Sequence, residues 1–144
     1  RLGVPCTVLD HRVLKEREHL DRTLVDCFRS AAVEVVVMAG WMRIVTPVLI
    51  NGYSGRLVNI HPSLLPSFKG LDGIGQALAA GVKITGCSVH LVTAELDGGP
   101  ILAQAAVPVW EGDDHASLSE RVHQAEHRLL PEAISAMIPV WRQG

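Results

Sequence analysis

The sequence is short of aromatic residues, charge and cysteine, and each shortage removes a class of explanation. Phe, Trp and Tyr make up 4% of the 144 residues and charged residues 19%. The formal charge of -2 comes from mixed acids and bases with no basic run, so the electrostatic footprint of a nucleic-acid binder is missing. Cys6, Cys27 and Cys87 are odd in number, far apart and in no CxxC pair. That argues against a disulfide framework and a structural zinc site, and fits reduced thiols in the cytosol. No apolar stretch is as long as a membrane span, and Arg1 is not followed by the charged-then-apolar pattern of a secretory leader. A GxxxxGK[ST] loop, a GxSxG elbow and an HExxH pair are absent, and Gly70, Gly73 and Gly75 do not fit the dinucleotide fingerprint. The expectation is a cytoplasmic protein with no nucleic-acid or membrane partner, no metal, and no nucleoside-triphosphate or nicotinamide chemistry.

What is present is a core. Hydrophobic residues are 48% of the chain, enough for one folded domain over residues 1–144. Residues 4–9 read as a short β-rich run, and 15–32 as a helix with Leu20, Leu24, Val25 and Phe28 at helical spacing. Residues 33–39 are β-branched at nearly every position, as in a strand buried on both faces, and Gly40 ends them. Thr46-Pro47 has the form of a helix start, and 48–51 would be one turn. Residues 57–60 read as a second buried strand, 73–80 as a helix closed by Gly81, and 85–92 and 101–109 as strands joined through a turn at Asp97-Gly98. A long amphipathic helix over 116–136, bent at Pro131, completes the pattern. Alternating strands and helices predict an α/β fold, a Rossmann-like open sheet, mostly parallel with an antiparallel hairpin and with helices on both faces.

The chemistry-bearing segment is Asn59-Ile60-His61-Pro62. Residues two apart on a strand share a face, so Asn59 and His61 project together at the carboxyl end, where open α/β sheets place ligands. Such a pair could donate to a developing oxyanion and transfer a proton beside it, which suits acyl transfer without a protein nucleophile. The same residues would equally serve a satisfied strand end before a proline turn. Glu95-Leu96-Asp97-Gly98-Gly99-Pro100 is turn chemistry by itself; folded toward the strand ends, it would bring Asp97 to His61, favour the charged ring and order a relaying water. Gly40-Trp41-Met42-Arg43-Ile44-Val45 is either a surface loop or the lining of a flat heteroaromatic pocket. Cys87 and His90, three apart on a strand, face opposite ways, so Cys87 is assigned to the core. His123, Glu126 and His127 share neighbouring faces of the last helix but lack a metal-binding pattern.

Asn59-Ile60-His61-Pro62-Ser63-Leu64-Leu65-Pro66, followed by Ser88-Val89-His90, Leu96-Asp97-Gly98-Gly99-Pro100 and Glu126-His127-Arg128, resembles the glycinamide ribonucleotide formyltransferases in the family's order and over nearly the whole chain. The resemblance implies transfer of the formyl group of 10-formyltetrahydrofolate, the cosubstrate, to the amine of glycinamide ribonucleotide in purine biosynthesis, by direct attack through a tetrahedral intermediate. It implies catalytic roles for Asn59, His61 and Asp97, with His90 in support. It implies folate contacts from Met38, Arg43, Ile44, Val45, Leu57 and Val92, and ribonucleotide contacts from Arg17, Gly40, Met42, Pro62 and Glu126. Partners would be these small molecules, the protein itself being a monomer or homodimer. The family's opening strand and Gly-Ser-Asn phosphate loop have no counterpart here, so the expectation is a formyltransferase fold lacking its N-terminal βαβ segment. Residues 71–76 and His123 also depart from the family pattern. Formyltetrahydrofolate deformylases share the Asn, His and Asp arrangement and are the alternative, as is a folate-binding module without catalysis.

Overall fold

The chain folds in the order helix α1 (Arg17–Ser30), strand β1 (Val36–Met38), helix α2 (Pro47–Gly52), strand β2 (Leu57–His61), helix α3 (Gly73–Ala80), strands β3 (Ile84–Leu91) and β4 (Ile101–Pro108), and helix α4 (His115–Gln143). This computed structural model describes residues 2–41 and 43–144. The four strands form one sheet in the order β1-β2-β3-β4. Only β1 and β2 are parallel; β2–β3 and β3–β4 are antiparallel. The α/β class is as expected, but the parallel share of the described sheet is smaller than predicted. The hairpin of β3 and β4 is the expected one; the added antiparallel pair is β2–β3.

Alternation along β2 sets the layers. Val58 packs with Cys87, Val89 and Val107 beneath Leu118, Val122 and Leu129 of α4, whereas Leu57 packs with Val25 of α1, Leu49 of α2 and Met38 of β1. Helices therefore cover both faces, and the two cores share one strand. Cys87 is fully buried in the α4 core, as its position on β3 required.

Local signals explain most boundaries. Asp72 caps α3 by accepting from Gly75 N at 3.1 Å, and Gly81 ends it with φ 71, a conformation glycine adopts without steric cost. Asp114 and Ser117 form a reciprocal capping box at the start of α4. That helix runs on to Gln143, past the expected end, through Pro131 and Pro139. The buried stripe continues through Ala133 to Trp141, whose indole donates to Gly55 O at 2.9 Å, and this packing outweighs the two missing N–H groups. Thr46 precedes Pro47 as expected, but its hydroxyl makes no cap and donates to Asp21 instead.

One expected strand is not found. Residues 4–9 have no strand assignment, and Val4 and Val8 are 73% and 84% exposed. Among the described residues no neighbour supplies a ladder for them, and a β-prone sequence without a pairing partner has nowhere to place its backbone hydrogen bonds.

Because Leu118 is fully buried between α4 and the sheet, Leu118→Ala is expected to cost about 2–5 kcal/mol in urea unfolding. A loss below about 1 kcal/mol would mean that α4 contributes little to holding the sheet.

Candidate active site

The sheet register assembles the site. Asn59 lies opposite His90 and His61 opposite Ser88 in the β2–β3 ladder, and Ser88 in turn lies opposite Gln104 of β4. Since Val58, Cys87 and Val89 point to α4, alternation puts Asn59, His61, Ser88 and His90 together on the other face. His61 is the last residue of β2, so this polar set ends where the chain leaves the sheet.

Asp97 closes the set. It adopts φ 50, a left-handed conformation that aspartate tolerates better than most residues, and its buried carboxylate faces both rings. Oδ2 lies 3.5 Å from His61 Nδ1, and Oδ1 lies 3.8 Å from His90 Nε2. Oδ2 also accepts from Gly70 N at 2.8 Å, tying the loop after β2 to the loop after β3. The other nitrogen of His61, Nε2, donates to Phe68 O at 2.8 Å. With a carbonyl at one ring nitrogen and a carboxylate near the other, His61 faces acceptors on both sides.

His90 is a different histidine. Its Nδ1 donates to Leu91 O at 3.1 Å, and its buried Nε2 has no hydrogen-bond partner among the described residues. Burial pushes its pKa below the ordinary 6.5, more than the Leu91 carbonyl and Asp97 can restore, while the nearby His61 adds to the depression. On α4, burial raises the Glu126 carboxyl above its usual value, with His123, His127 and His61 pulling the other way. Burial, helped by the charge of Glu126, lifts the Cys87 thiol to about 11, so it stays protonated.

The loop after β1 is pinned from beneath. Asp21 of α1 is fully buried and accepts from Thr46 N and Thr46 Oγ1, each at 2.7 Å, and from the Arg43 guanidinium. Arg43 also lies 4.8 Å over the Trp41 ring. Two donors of this loop, Trp41 Nε1 and Arg43 Nη1, are buried with no acceptor among the described residues. Of the residues expected to contact folate, Met38 and Leu57 have side chains in the core, where only backbone atoms can meet a ligand; Val45 and Val92 are half-buried against that core, and Ile44 is exposed. Among those expected to contact the ribonucleotide, Gly40 is exposed with φ 65, Arg17 is exposed in the first turn of α1, and Pro62 and Glu126 are half-buried. Met42 lies outside the described residues. A cavity of about 300 Å³ between β4 and α4, lined by Val107, Arg121 and Arg128 among others, lies away from His61.

Sequence reading did not single out Asp21, Ser63, Ser88 or Gln104 for their structural roles. Asp21 carried one signal, an acid among the apolar positions of an amphipathic helix. The others form bonds that depend on register and could not be read from local pattern.

The formyl transferase family model matches residues 1–134, and the chain belongs to that family. Phosphoribosylglycinamide formyltransferase of Escherichia coli (strain K12) is 46% identical over 133 residues, which are 92% of this chain and 63% of the relative. The enzyme of the same name from Bacillus subtilis (strain 168) is 35% identical over 141 residues, 98% and 72% of the two lengths. The human trifunctional purine biosynthetic protein adenosine-3 is 44% identical over 134 residues, which are 93% of this chain and 13% of that protein. The solved phosphoribosylglycinamide formyltransferase of Bacillus halodurans superposes with a TM-score of 0.89 at 41% identity, covering 94% of this chain and 70% of that one. The resemblance read from the motifs is thereby borne out.

Two outcomes follow from this geometry. Asp21→Ala removes the acceptor of Arg43 and Thr46 and is expected to cost about 3–5 kcal/mol in urea unfolding; a near-neutral result would show that the loop is held elsewhere. Because the His90 pKa is lowered on folding, the unfolded chain binds more protons as pH falls through the ordinary histidine value, and stability falls with it. Unfolding midpoints should therefore drop between about pH 7 and pH 5, and drop less for His90→Asn. Equal drops would remove His90 as a source of the pH dependence.

Proposed function

We propose that the protein transfers the formyl group of 10-formyltetrahydrofolate to the amine of glycinamide ribonucleotide. The observation that carries this reading is the Asp97 carboxylate set between His61 and His90, at the end of the strand that bears Asn59. The relatives' name supplies the acceptor and the group transferred, the motif resemblance implies the folate donor, and the geometry supplies a way to use them.

The amine nitrogen attacks the formyl carbon, and the carbonyl π pair moves onto oxygen. Asn59 and His61 donate to that oxygen as it becomes negative. Phe68 O, which now accepts from His61 Nε2, stands in for it and gives way when the formyl group binds. Asp97 supports the charged ring and takes up, through water, the proton shed by the attacking nitrogen. Collapse of the intermediate returns the electron pair to the carbonyl and breaks the bond to the folate nitrogen, which takes from Asp97, through the same water, the proton that the amine shed. His90, kept neutral by burial with its one N–H given to Leu91 O, presents Nε2 beside Asp97 as an acceptor for the relaying water. The loop 40–45 takes the pterin, with Met38, Arg43, Ile44, Val45, Leu57 and Val92 around it, and the orphaned Trp41 and Arg43 donors suit its acceptor atoms. The ribonucleotide is assigned to the side of the cleft that carries Arg17, Gly40, Pro62 and Glu126, the resemblance adding Met42 from outside the described residues. Three separated thiols and the small, diffusible substrates fit a cytoplasmic setting.

The test is a formyl-transfer assay on the full-length protein, with and without glycinamide ribonucleotide. Acceptor-dependent product is expected. Formate release regardless of acceptor would replace this reading with a deformylase, and folate binding without reaction would replace it with a binding module. In the same assay His61→Ala is expected to lower turnover on the order of 100-fold while leaving folate affinity largely intact. Near-normal turnover would remove His61 from the chemistry.

A further inference from the structure

His61, Ser88 and Gln104 stand in one row across β2, β3 and β4, and the last two are bonded to the turn that follows His61. Ser88 Oγ is fully buried with every bond used. It donates to Ser63 O at 2.7 Å and accepts from Leu65 N at 3.0 Å and Gln104 Nε2 at 3.0 Å. Gln104 Nε2 also donates to Leu65 O at 2.9 Å. The directions are forced, because Ser63 O can only accept and the single hydroxyl proton must go to it. That leaves Ser88 needing donors from its other side, and the Gln104 amide supplies one while spending its second proton on Leu65.

The turn is thus gripped at both of its backbone groups at Leu65 and at Ser63 O. Ser63 N donates to His61 O at 2.9 Å, so the grip passes to the catalytic strand end within two residues. Packing agrees: a Cβ at Gly86 would come within 2.8 Å of Leu64 Cδ2, so the turn sits directly on β3. Beyond it, Phe68 O meets His61 Nε2 and Gly70 N meets Asp97. One loop therefore has a structural end held by Gln104 and a chemical end held by His61 and Asp97.

We infer that Gln104 is a positioning residue for formyl transfer, acting through Ser88 and the Ser63–Leu65 turn on the orientation of the His61 ring. The inference rests on the formyl-transfer reading of the site. Gln104 is exposed on the edge strand, so its replacement leaves the core intact. Ser88→Ala, by contrast, empties a buried network and tests folding as much as position.

The experiment compares the full-length wild-type protein with Gln104→Met, which keeps the length of the side chain and removes both donors. Readouts are kcat, KM for 10-formyltetrahydrofolate, exchange of the Leu65 amide, and the His61 ring-nitrogen NMR shifts. Expected are a kcat lowered about tenfold with KM changed less than about twofold, as displacement of a reacting group by a fraction of an ångström produces. Faster Leu65 exchange and altered His61 shifts should accompany it. Unchanged Leu65 exchange would show that Gln104 does not hold the turn. Faster exchange with unchanged kcat and His61 shifts would make the grip purely structural, and either result overturns the inference. Should the wild type transfer formyl to no acceptor, the proposed function falls separately, and the Leu65 and His61 signals of Gln104→Met still decide whether Gln104 positions the ring.

Discussion

The antiparallel register between β2 and β3 governs nearly everything at the site. Asn59 opposite His90 and His61 opposite Ser88 put four polar side chains on the face away from α4, while Val58, Cys87 and Val89 fill the core on the other. A slip of one residue would exchange those faces, burying histidines against Leu118 and Val122 and exposing valines to the cleft. The cost of that exchange holds the register, so the apolar α4 core fixes the geometry of a polar site it does not touch.

Asp97 then converts a row of side chains into a unit. A buried carboxylate needs donors, and it has Gly70 N, with His61 and His90 within 4 Å. The same contacts join the two loops that leave β2 and β3, so the electrostatic demand of one acid couples loop closure to the state of both rings. Their partners separate the two buried histidines: His61 meets acceptors at both nitrogens, whereas His90 has none at Nε2 among the described residues and burial drives it toward its neutral form. Asp21 plays the corresponding part under the loop after β1, where three donors converge on one fully buried carboxylate.

Much of this was legible beforehand where the signal is local. The caps of α3 at Asp72 and Gly81 and the period-two spacing of Asn59 and His61 follow from short-range chemistry, as does the core position of Cys87. The failures share a cause. Residues 4–9 have strand composition but no ladder, and α4 outruns its expected end because tertiary packing of Trp141 supports two prolines. The balance of parallel and antiparallel pairs depends on how connections run in space, which periodicity does not record.

The sequence by itself determined which faces of its strands and helices are apolar, where its turns and caps lie, and which residues have the chemistry for acyl transfer, because those properties belong to side chains and to spacings of a few residues. Only the tertiary structure decided which distant residues meet: Asp97 with His61 and His90, Asp21 with Arg43, and Gln104 with Ser88 and Leu65. Each of those contacts joins segments whose approach depends on strand register and loop closure, and such long-range geometry is set by the burial of the whole core and leaves no local trace.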